Sequence, residues 1–595
     1  MRLKIPYYLI IVLFFGFTCQ SQTIIPGGYV SGTWDEAGSP YHIMESITIH
    51  EDSSLLITKN VELLMHDSVA VVVNGHIAAI GEIGEYIYWN AEEMVWDGIY
   101  INENQSVTDS CVFRSCIFNP PVSPDKAKGG IFNINKRSRI LLEDCWFNNI
   151  NVKHKGAALY LNDADIRVIG SYFQSNEAWS DSSSHGGAIY MEASSPVLFG
   201  NYFTDNSSRI AGAIYGSNSS PIIRECIFRN QYTRGGGGGV LVLHDTGYVE
   251  IENCEFSNNY ATGSGGAIAF LEGITGLVKD CLFQDNLAAS SQFIDVGGAV
   301  FITAYDNNIT FENCSFKGNT AQLDGGAIYS ASDINVTGCL FIGNMNNPNP
   351  YSGGGAIAVA QANLNVLNST FSWNMGELGN TIFGLDANIA LINSIIWGGE
   401  PLGNYNIYLT EYQTGTNLYV GHTLVEGGAS SVGGEGLYTV DWASGNIDSN
   451  PMFLLPDSIF SLAWNSPCIN AGRSDTLQFF IPAEDLAGNP RLSGGEIDMG
   501  CYEYQGPISI PEKVKNEDFV VYPNPAKDHI YIRSGREFHG RLTISDLSGR
   551  TVVDREVNIS KDSPIRQALP GIPAGFYILN LNSKDYSLSQ KLIIK

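Results

Sequence analysis

GGAIAFLEGITGLVKDCLFQDN, residues 265–286, holds the two signatures around which the chain is organised. Gly-Gly-Ala followed by Ile or Val recurs with Ala188, Ala267, Ala299, Ala327 and Ala356 as its third residue, and Ala213 marks a blurred copy. Further along each repeat comes Cys-x-Phe-x-x-Asn or a close variant. It aligns Phe118, Phe147, Phe173, Phe203, Phe228, Phe256, Phe283, Phe316, Phe341 and Phe371 at separations of 25 to 33 residues. A recurring period of this length marks a solenoid and has to be read before any local structure.

Within each repeat, apolar side chains fall five and three positions before the residue that precedes the Phe by two. Examples are Ile140 and Leu142 before Cys145, Ile166 and Val168 before Ser171, Val249 and Ile251 before Cys254, and Leu364 and Val366 before Ser369. Alternation inside each segment has period two, which is a strand, and the odd step of three is a tight bend. One repeat is then three short strands and three turns. No such strand hides its apolar face alone, so coils must stack about 4.8 Å apart. The predicted fold class is all-β: a right-handed single-stranded parallel β-helix with three short strands per coil, followed by a small C-terminal β-sandwich.

Residues 1–21 carry Arg2 and Lys4, an apolar run from Tyr7 to Phe17, then Cys19 and Ser21. This reads as a signal peptide for export, cleaved after about Ser21. Acylation of Cys19 is disfavoured, because residues 16–18 lack the aliphatic side chain expected three positions before a lipidated cysteine. With 64 glycines and only 16% charged residues, the composition suits close-packed coils with tight turns. The net charge of −28 is concentrated in 22–512, while 513–595 is net basic. Such a field repels polyanions and excludes nucleic acid as a partner.

Seven of the eleven cysteines, Cys116, Cys145, Cys226, Cys254, Cys281, Cys314 and Cys339, share one repeat position where Ser171, Asn201 and Ser369 also stand. They are expected as a vertical ladder of small apolar fillers, without metal, since no CxxC spacing occurs. Cys468 and Cys501 lie outside the ladder, and a disulfide between them is left open. Asn176, Asn206, Asn259, Asn286, Asn319, Asn344 and Asn374 form a second ladder, expected to take left-handed geometry or to bond backbone at a turn. The domain reading is an N-terminal cap and first coils over 22–110, repeat coils over 111–400 and a closing segment over 401–505. A linker over 506–518 and a terminal domain over 519–595 follow. After Phe371, Ile389, Leu391 and Ile396 keep the register for one more coil.

The Gly-Gly-Ala and Phe-x-x-Asn pairs, over about 111–374, resemble the repeats of polymorphic outer-membrane and autotransporter-like β-helix proteins. SPCINAG (466–472), DLAGNPR (485–491) and IDMGCYEY (497–504) resemble the closing segment of choice-of-anchor β-helix surface proteins, with a departure at Cys501 where a small residue is expected. Residues 519–595 resemble the C-terminal sorting domain of type IX secretion substrates. The matching positions are Tyr522, Pro523, Asn524 and Pro525, then Gly549, then Gly575 and Tyr577, and the basic apolar end from Lys591 to Lys595. These resemblances imply recognition by an outer-membrane translocon of a Gram-negative bacterium, then cleavage near the linker and release or attachment at the cell surface. The mature chain is expected as a monomer with no transmembrane segment and no cofactor.

Chemistry is sparse. Gly235–Gly239 lacks the Lys-Ser/Thr of a phosphate loop, and neither HExxH nor GxSxG occurs. The turn before each Gly-Gly-Ala varies most, and equivalent turns stack on one edge of a solenoid. An adhesive or structural protein would use that edge to bind an extracellular or cell-surface glycan. A polysaccharide lyase or glycosidase would use a cation against a uronate and a His, Lys or Asp as acid or base. The catalytic candidates are Lys153, His154, Lys155, Asp181, His185 and Arg209. The ligand-binding candidates are a basic band of Lys126, Lys128, Lys136, Arg137, Arg139, Lys153 and Lys155, together with Trp179, Tyr232 and Arg234. An isolated positive band on an acidic rod would focus anionic glycans there.

Overall fold

The computed structural model describes residues 22–594 except 92–95, 104–110, 119–125, 181–182, 291–294, 348–350, 399–404, 456–458, 476–480, 494, 507–518, 523, 525, 535–536, 547–550, 562, 570, 574 and 584–585. The expected signal peptide, and the expected linker beyond Gly506, fall outside the described residues. The chain divides into two units between Tyr504 and Gln505.

In the first unit each coil gives one strand to each of three parallel sheets of sixteen strands, here called faces A, B and C in chain order. One coil shows the pattern with Glu255–Ser257 on face A, Ile268–Glu272 on face B and Ile274–Lys279 on face C. A fourth, short sheet was not anticipated. Its eight two-residue strands, from Asn151–Val152 to Met345–Asn346, lie in the turn between faces A and B. There the chain stays extended for two residues so that one small side chain, such as Ala261 or Ala288, still points inward. The stack also runs on to Tyr438–Trp442, past the single further coil expected after Phe371. The signatures fade there, but Ile407, Leu409, Leu418 and Val420 keep the inward alternation.

The bend of three residues is made by one left-handed residue just before each ladder cysteine or serine. Asn253 (φ 53°), Asp280 (51°), Asn313 (49°) and Asn368 (43°) fill this place, where short polar side chains are the L-residues that best tolerate it. A second left-handed residue ends face A: Asn258 (55°), Asp285 (53°) and Gly318 (64°). It stands one residue before the ladder asparagine, not at it as the sequence suggested. The asparagines are thereby left to hydrogen-bond. Asn286 donates its backbone N–H at 3.1 Å and its Nδ2 at 2.9 Å to Oδ1 of Asn319, and Nδ2 also to the Phe256 carbonyl at 2.9 Å. Asn176, Asn259, Asn319 and Asn344 repeat this triplet, and Gln231 fills the rung between Asn206 and Asn259.

The ten phenylalanines are fully buried in one column, with ring centroids 4.6–5.1 Å apart and planes within 16°. Beside them the cysteine ladder is buried but is not an apolar filler. Cys281 Sγ accepts the Cys254 N–H at 3.4 Å, Cys339 Sγ accepts the Cys314 N–H at 3.3 Å, and Ser369 Oγ accepts the Cys339 N–H at 3.1 Å. The position needs a small acceptor for the preceding coil, which explains why Ser and Asn substitute there. Burial pushes the Cys254, Cys281 and Cys314 thiols well above their ordinary range.

The described residues of 450–504 do not extend the stack but fold back along the outside of face A. The Cys501 N–H donates to Thr370 Oγ1 at 3.0 Å, and Asn368 Nδ2 to the Asp498 carbonyl at 3.1 Å. Outward residues of face A are buried beneath this clasp, Leu340 with Phe460 and Cys501, and Ile395 and Leu424 with Leu462, Cys468 and Met499. Cys468 and Cys501 are free thiols in separate clusters. The residues read as an anchor-type closing motif hold the clasp itself together: buried Arg491 donates to the carbonyls of Gly500 and Cys501, and Asp485 accepts the backbone N–H of Ala487, Asn489 and Glu503. Glu503 accepts the N–H of Ser493 and Asp498, and burial, with Asp498 beside it, pushes its carboxyl up to about 7.

The described residues of the second unit form seven antiparallel strands in two sheets. Phe519–Tyr522, His529–Ser534 and Ile565–Ala568 form one, and Phe538–Asp546, Thr551–Ile559, Gly575–Ser583 and Tyr586–Ile594 the other. Ile530, Ile532, Leu542, Ile544, Leu579 and Leu581 belong to one shared core.

Two outcomes follow from this packing. Phe283→Ala should cost ~3–5 kcal/mol, seen as faster hydrogen exchange in the adjoining coils only; an effect spread over the whole stack would contradict nearest-neighbour packing. For the clasp, a folded-state pKa raised above the ordinary carboxyl value means that the folded form holds the proton. The contribution of Glu503 is therefore fully present below about pH 4.5 and is lost as pH rises through about 7. Exchange of residues 484–504, corrected for intrinsic rates, should increase across that window, and Glu503→Gln should flatten the dependence.

Candidate functional site

The variable turns before Gly-Gly-Ala do align on one edge, where Lys128, Lys155, His185 and Ile210 bridge in consecutive rungs. Beside them the outward centre of face B carries Tyr160, Tyr190 and Tyr215, stacked at 5.5 and 5.3 Å. Lys128 Nζ lies 4.1 Å from the Tyr160 ring centroid. Lys155 Nζ lies 4.1 Å from that of Tyr190 and donates to its hydroxyl at 2.8 Å. Both cations are thus already seated on aromatic faces. His185 packs against Tyr215 at 4.7 Å. Burial, with Lys155 and Arg209 adding positive charge, pulls its pKa down to about 4, so it is neutral at physiological pH. Burial pushes the Tyr160 and Tyr190 hydroxyls up to about 12.

Of the remaining catalytic candidates, His154 contacts the Ser183 carbonyl through Nδ1 at 3.0 Å, and Lys153 is exposed. Arg209 runs alongside Gly235, and Asp181 lies outside the described residues. Lys155 and His185 are the pair brought together. Trp179 is 54% exposed, Tyr232 stacks on Tyr260 at 5.3 Å, and Arg234 pairs with Glu177 at 2.5 Å.

The basic band does not form one patch. Lys126, Lys128, Lys153 and Lys155 lie before the face B strands, whereas Lys136, Arg137 and Arg139 follow Phe132–Asn135 at the other end of that face. Arg137 is buried and donates to the Gly75 carbonyl at 3.0 Å. Lys126 lies 3.5 Å from an Asp97 carboxylate oxygen, and burial pulls its pKa down to about 8. Coil geometry explains the split. Residues ten apart in a repeat fall on different corners, however close they are in sequence.

Face C holds a feature the sequence reading passed over. Over the last coils its outward positions form two polar ladders, Asn308, Asp333, Asn363, Asn388, Asn417 and Thr439 in one and Asn335, Asn365, Ala390, Tyr419 and Asp441 in the other. They line a groove of about 540 Å³. Asn363 Nδ2 donates to Asp333 at 2.8 Å, Asn388 Nδ2 to Asn363 at 3.1 Å and Asn417 Nδ2 to Asn388 at 3.0 Å, and the Thr439 hydroxyl donates to Asn417 at 2.6 Å. In the second ladder Asn365 Nδ2 donates to Asn335 at 3.0 Å. An amide that gives one N–H to the ladder keeps a second N–H and a lone pair for a ligand. The signal was present as DINV, NLNV, NIAL, NLYV and TVDW at 333, 363, 388, 417 and 439. Only its inward half was read.

Among the described residues, His50, Glu51 and Asp52, and likewise His244, Asp245 and Glu272, bring possible metal-ligand atoms within 4.8 Å of one another. Each group offers three ligands, the first set exposed and the second with His244 and Asp245 half-buried, fewer than the four of a structural zinc site.

Residues 97–263 and 212–371 match the family model of a right handed beta helix region, and residues 520–595 match that of a secretion system C-terminal sorting domain. No curated protein matches the chain. The sorting domain is that of type IX secretion, so the protein is exported, either secreted or attached at the outer-membrane surface, and it interacts with the type IX machinery. No helix among the described residues is long and apolar enough to cross a membrane. Within the tail, Asn524 Oδ1 accepts the Ile593 N–H at 2.9 Å, the Ala526 N–H donates to the Ile593 carbonyl at 2.8 Å, and the Tyr577 hydroxyl donates to the Pro573 carbonyl at 2.9 Å. The opening motif is thereby tied to the last strand, which carries Lys591, while Gly575 starts its neighbour. Pro523, Pro525, Gly549 and Lys595 lie outside the described residues.

Deleting residues 519–595 should strand the protein in the periplasm with its β-helix folded, as checked by fractionation and circular dichroism. Normal appearance of the truncated chain in the medium would contradict the role of the tail.

Proposed function

We propose that this exported β-helix is a glycan-binding surface protein whose face C groove receives an extended, uncharged polysaccharide. The observation that carries the reading is the run of polar side chains across six coils, Asn308, Asp333, Asn363, Asn388, Asn417 and Thr439, hydrogen-bonded in series from Asp333 to Thr439. The amide rungs offer a donor and an acceptor, and Asp333 an acceptor, on elements whose positions are fixed by the sheet. Rungs about 4.8 Å apart repeat at close to the rise of one sugar in an extended, equatorially linked chain, so one sugar meets one coil. Tyr419 supplies a ring for the apolar face of a pyranose. Asp333 and Asp441, within a net charge of −28, disfavour uronate and sulfate.

The reading is of binding, not cleavage. His185 and Lys155 lie at the face B edge, away from the groove. The same edge is a weaker candidate for anionic glycans, because Lys128 and Lys155 are held on tyrosine rings and Arg137 is buried.

A glycan array probed with the mature protein should score neutral linear polysaccharides above sulfated or uronate-containing ones, with no release of reducing or unsaturated sugar. Replacing Asn363 and Asn388 together by Leu removes hydrogen bonds worth ~1 kcal/mol each. Affinity should fall about tenfold or more with the unfolding midpoint nearly unchanged. Unchanged binding by that variant would remove the groove from consideration.

A further inference from the structure

At the corner between faces B and C, successive coils bring metal-ligating side chains together. Ser217 pairs with His244 at the end of face B, and one register joins Leu243 to Phe270 before the corner and Gly247 to Ile274 after it. Asn218, Asp245 and Glu272 therefore share one column of the corner, with Ser217 and His244 beside it. His244, Asp245 and Glu272 each offer a ligand atom, all within 4.8 Å of one another. His244 Nδ1 lies 2.9 Å from Asp245 Oδ1, and both side chains are 34% exposed. Asp245 is held from the coil before, since its Oδ2 accepts the Ser217 hydroxyl and, at 3.4 Å, the Asn218 Nδ2. Glu272 comes from the coil after, where the pairing of face B shifts between Phe270 and Glu272. It is exposed and makes no ion pair among the described residues.

We propose that His244, Asp245 and Glu272 bind one six-coordinate divalent cation of the first transition row, with water completing its shell. Two carboxylates and a neutral imidazole balance the two charges of the ion. An imidazole among oxygen donors favours such an ion over Mg²⁺ or Ca²⁺, which take oxygen ligands. The spacing sets the geometry: with bonds of about 2.1 Å, ligand atoms at right angles lie ~3.0 Å apart and tetrahedral ones ~3.4 Å. The 2.9 Å between Nδ1 and Oδ1 is the right-angled edge, and binding leaves the ring proton on Nε2. Ser217 and Asn218 fix the Asp245 carboxylate from its far side, as hydrogen-bond partners behind metal ligands do. Without a cation, Asp245 and Glu272 are like charges on adjacent rungs of a chain with net charge −28. His50, Glu51 and Asp52 differ in being successive residues of one exposed turn, where His50 Nδ1 accepts the Asp52 N–H at 3.4 Å. The corner site shares no residue with the glycan groove and does not depend on it.

The test is titration of untagged, chelator-treated full-length protein with Co²⁺, followed by calorimetry and visible absorption. Saturable binding is expected, with the weak absorption of six-coordinate Co²⁺ and not the intense bands of a tetrahedral ion. The thermal midpoint should rise with Co²⁺ concentration, because the ion binds only where the two coils are stacked. His244→Ala and Glu272→Gln should each weaken binding by about tenfold or more, with the midpoint of the metal-free protein unchanged. His50→Ala should bind as the parent does. No saturable binding, a tetrahedral spectrum, unaltered affinity in the folded His244→Ala and Glu272→Gln variants, or loss of binding in His50→Ala would each overturn the proposal.

Discussion

From Asn259 to Asn344 each ladder asparagine directs its whole carboxamide at the neighbouring coils, with Nδ2 shared between the next asparagine and a phenylalanine carbonyl of the coil before, and Oδ1 accepting from behind. A buried corner cannot be solvated, so its backbone groups must find partners in the adjacent coil. The ladder supplies them at every rung. This fixes which residue occupies the left-handed position, holds the phenylalanine column in register beside it, and leaves the outward residues free to vary. Functional surfaces on this fold are therefore outward ladders, each with the pitch of the backbone.

The same constraint accounts for what the sequence made legible. Buried rungs repeat because one side chain shape fits each of them, so Phe256, Phe283 and Phe316 announced face A, and Ile251 and Val366 face C, from the sequence alone. The ladder positions of Cys281 and Asn286 were found correctly, but their physics was incomplete. Spacing locates a position without saying that a thiol there accepts an N–H, or that the left-handed residue is Asp285, not Asn286. The short sheet was invisible because two residues are too few to show a period. The clasp was invisible because its contacts, such as Cys501 with Thr370, span more than a hundred residues.

Site residues were read less well, for a related reason. Polar residues at a variable turn drew attention, yet Lys128 and Lys155 proved to be seated on tyrosines and Arg137 to support the Gly75 carbonyl. Asn363 and Asn388 stand next to Leu364 and Ile389, which were read for their apolar register, and Asn417 falls in the segment read as closing the stack. On a solenoid, an outward position that repeats the same polar residue over several coils is as informative as an inward position that repeats an apolar one.

Face C, and not the face B edge, is the surface proposed to meet a glycan. Hydroxyl-radical footprinting of the mature protein, with and without the best neutral polysaccharide, separates them, because exposed aromatic side chains report directly. Protection of Tyr419, with Trp179 and Tyr232 oxidised as in the free protein, is the predicted result. Protection of Trp179 and Tyr232 with Tyr419 unchanged would contradict it.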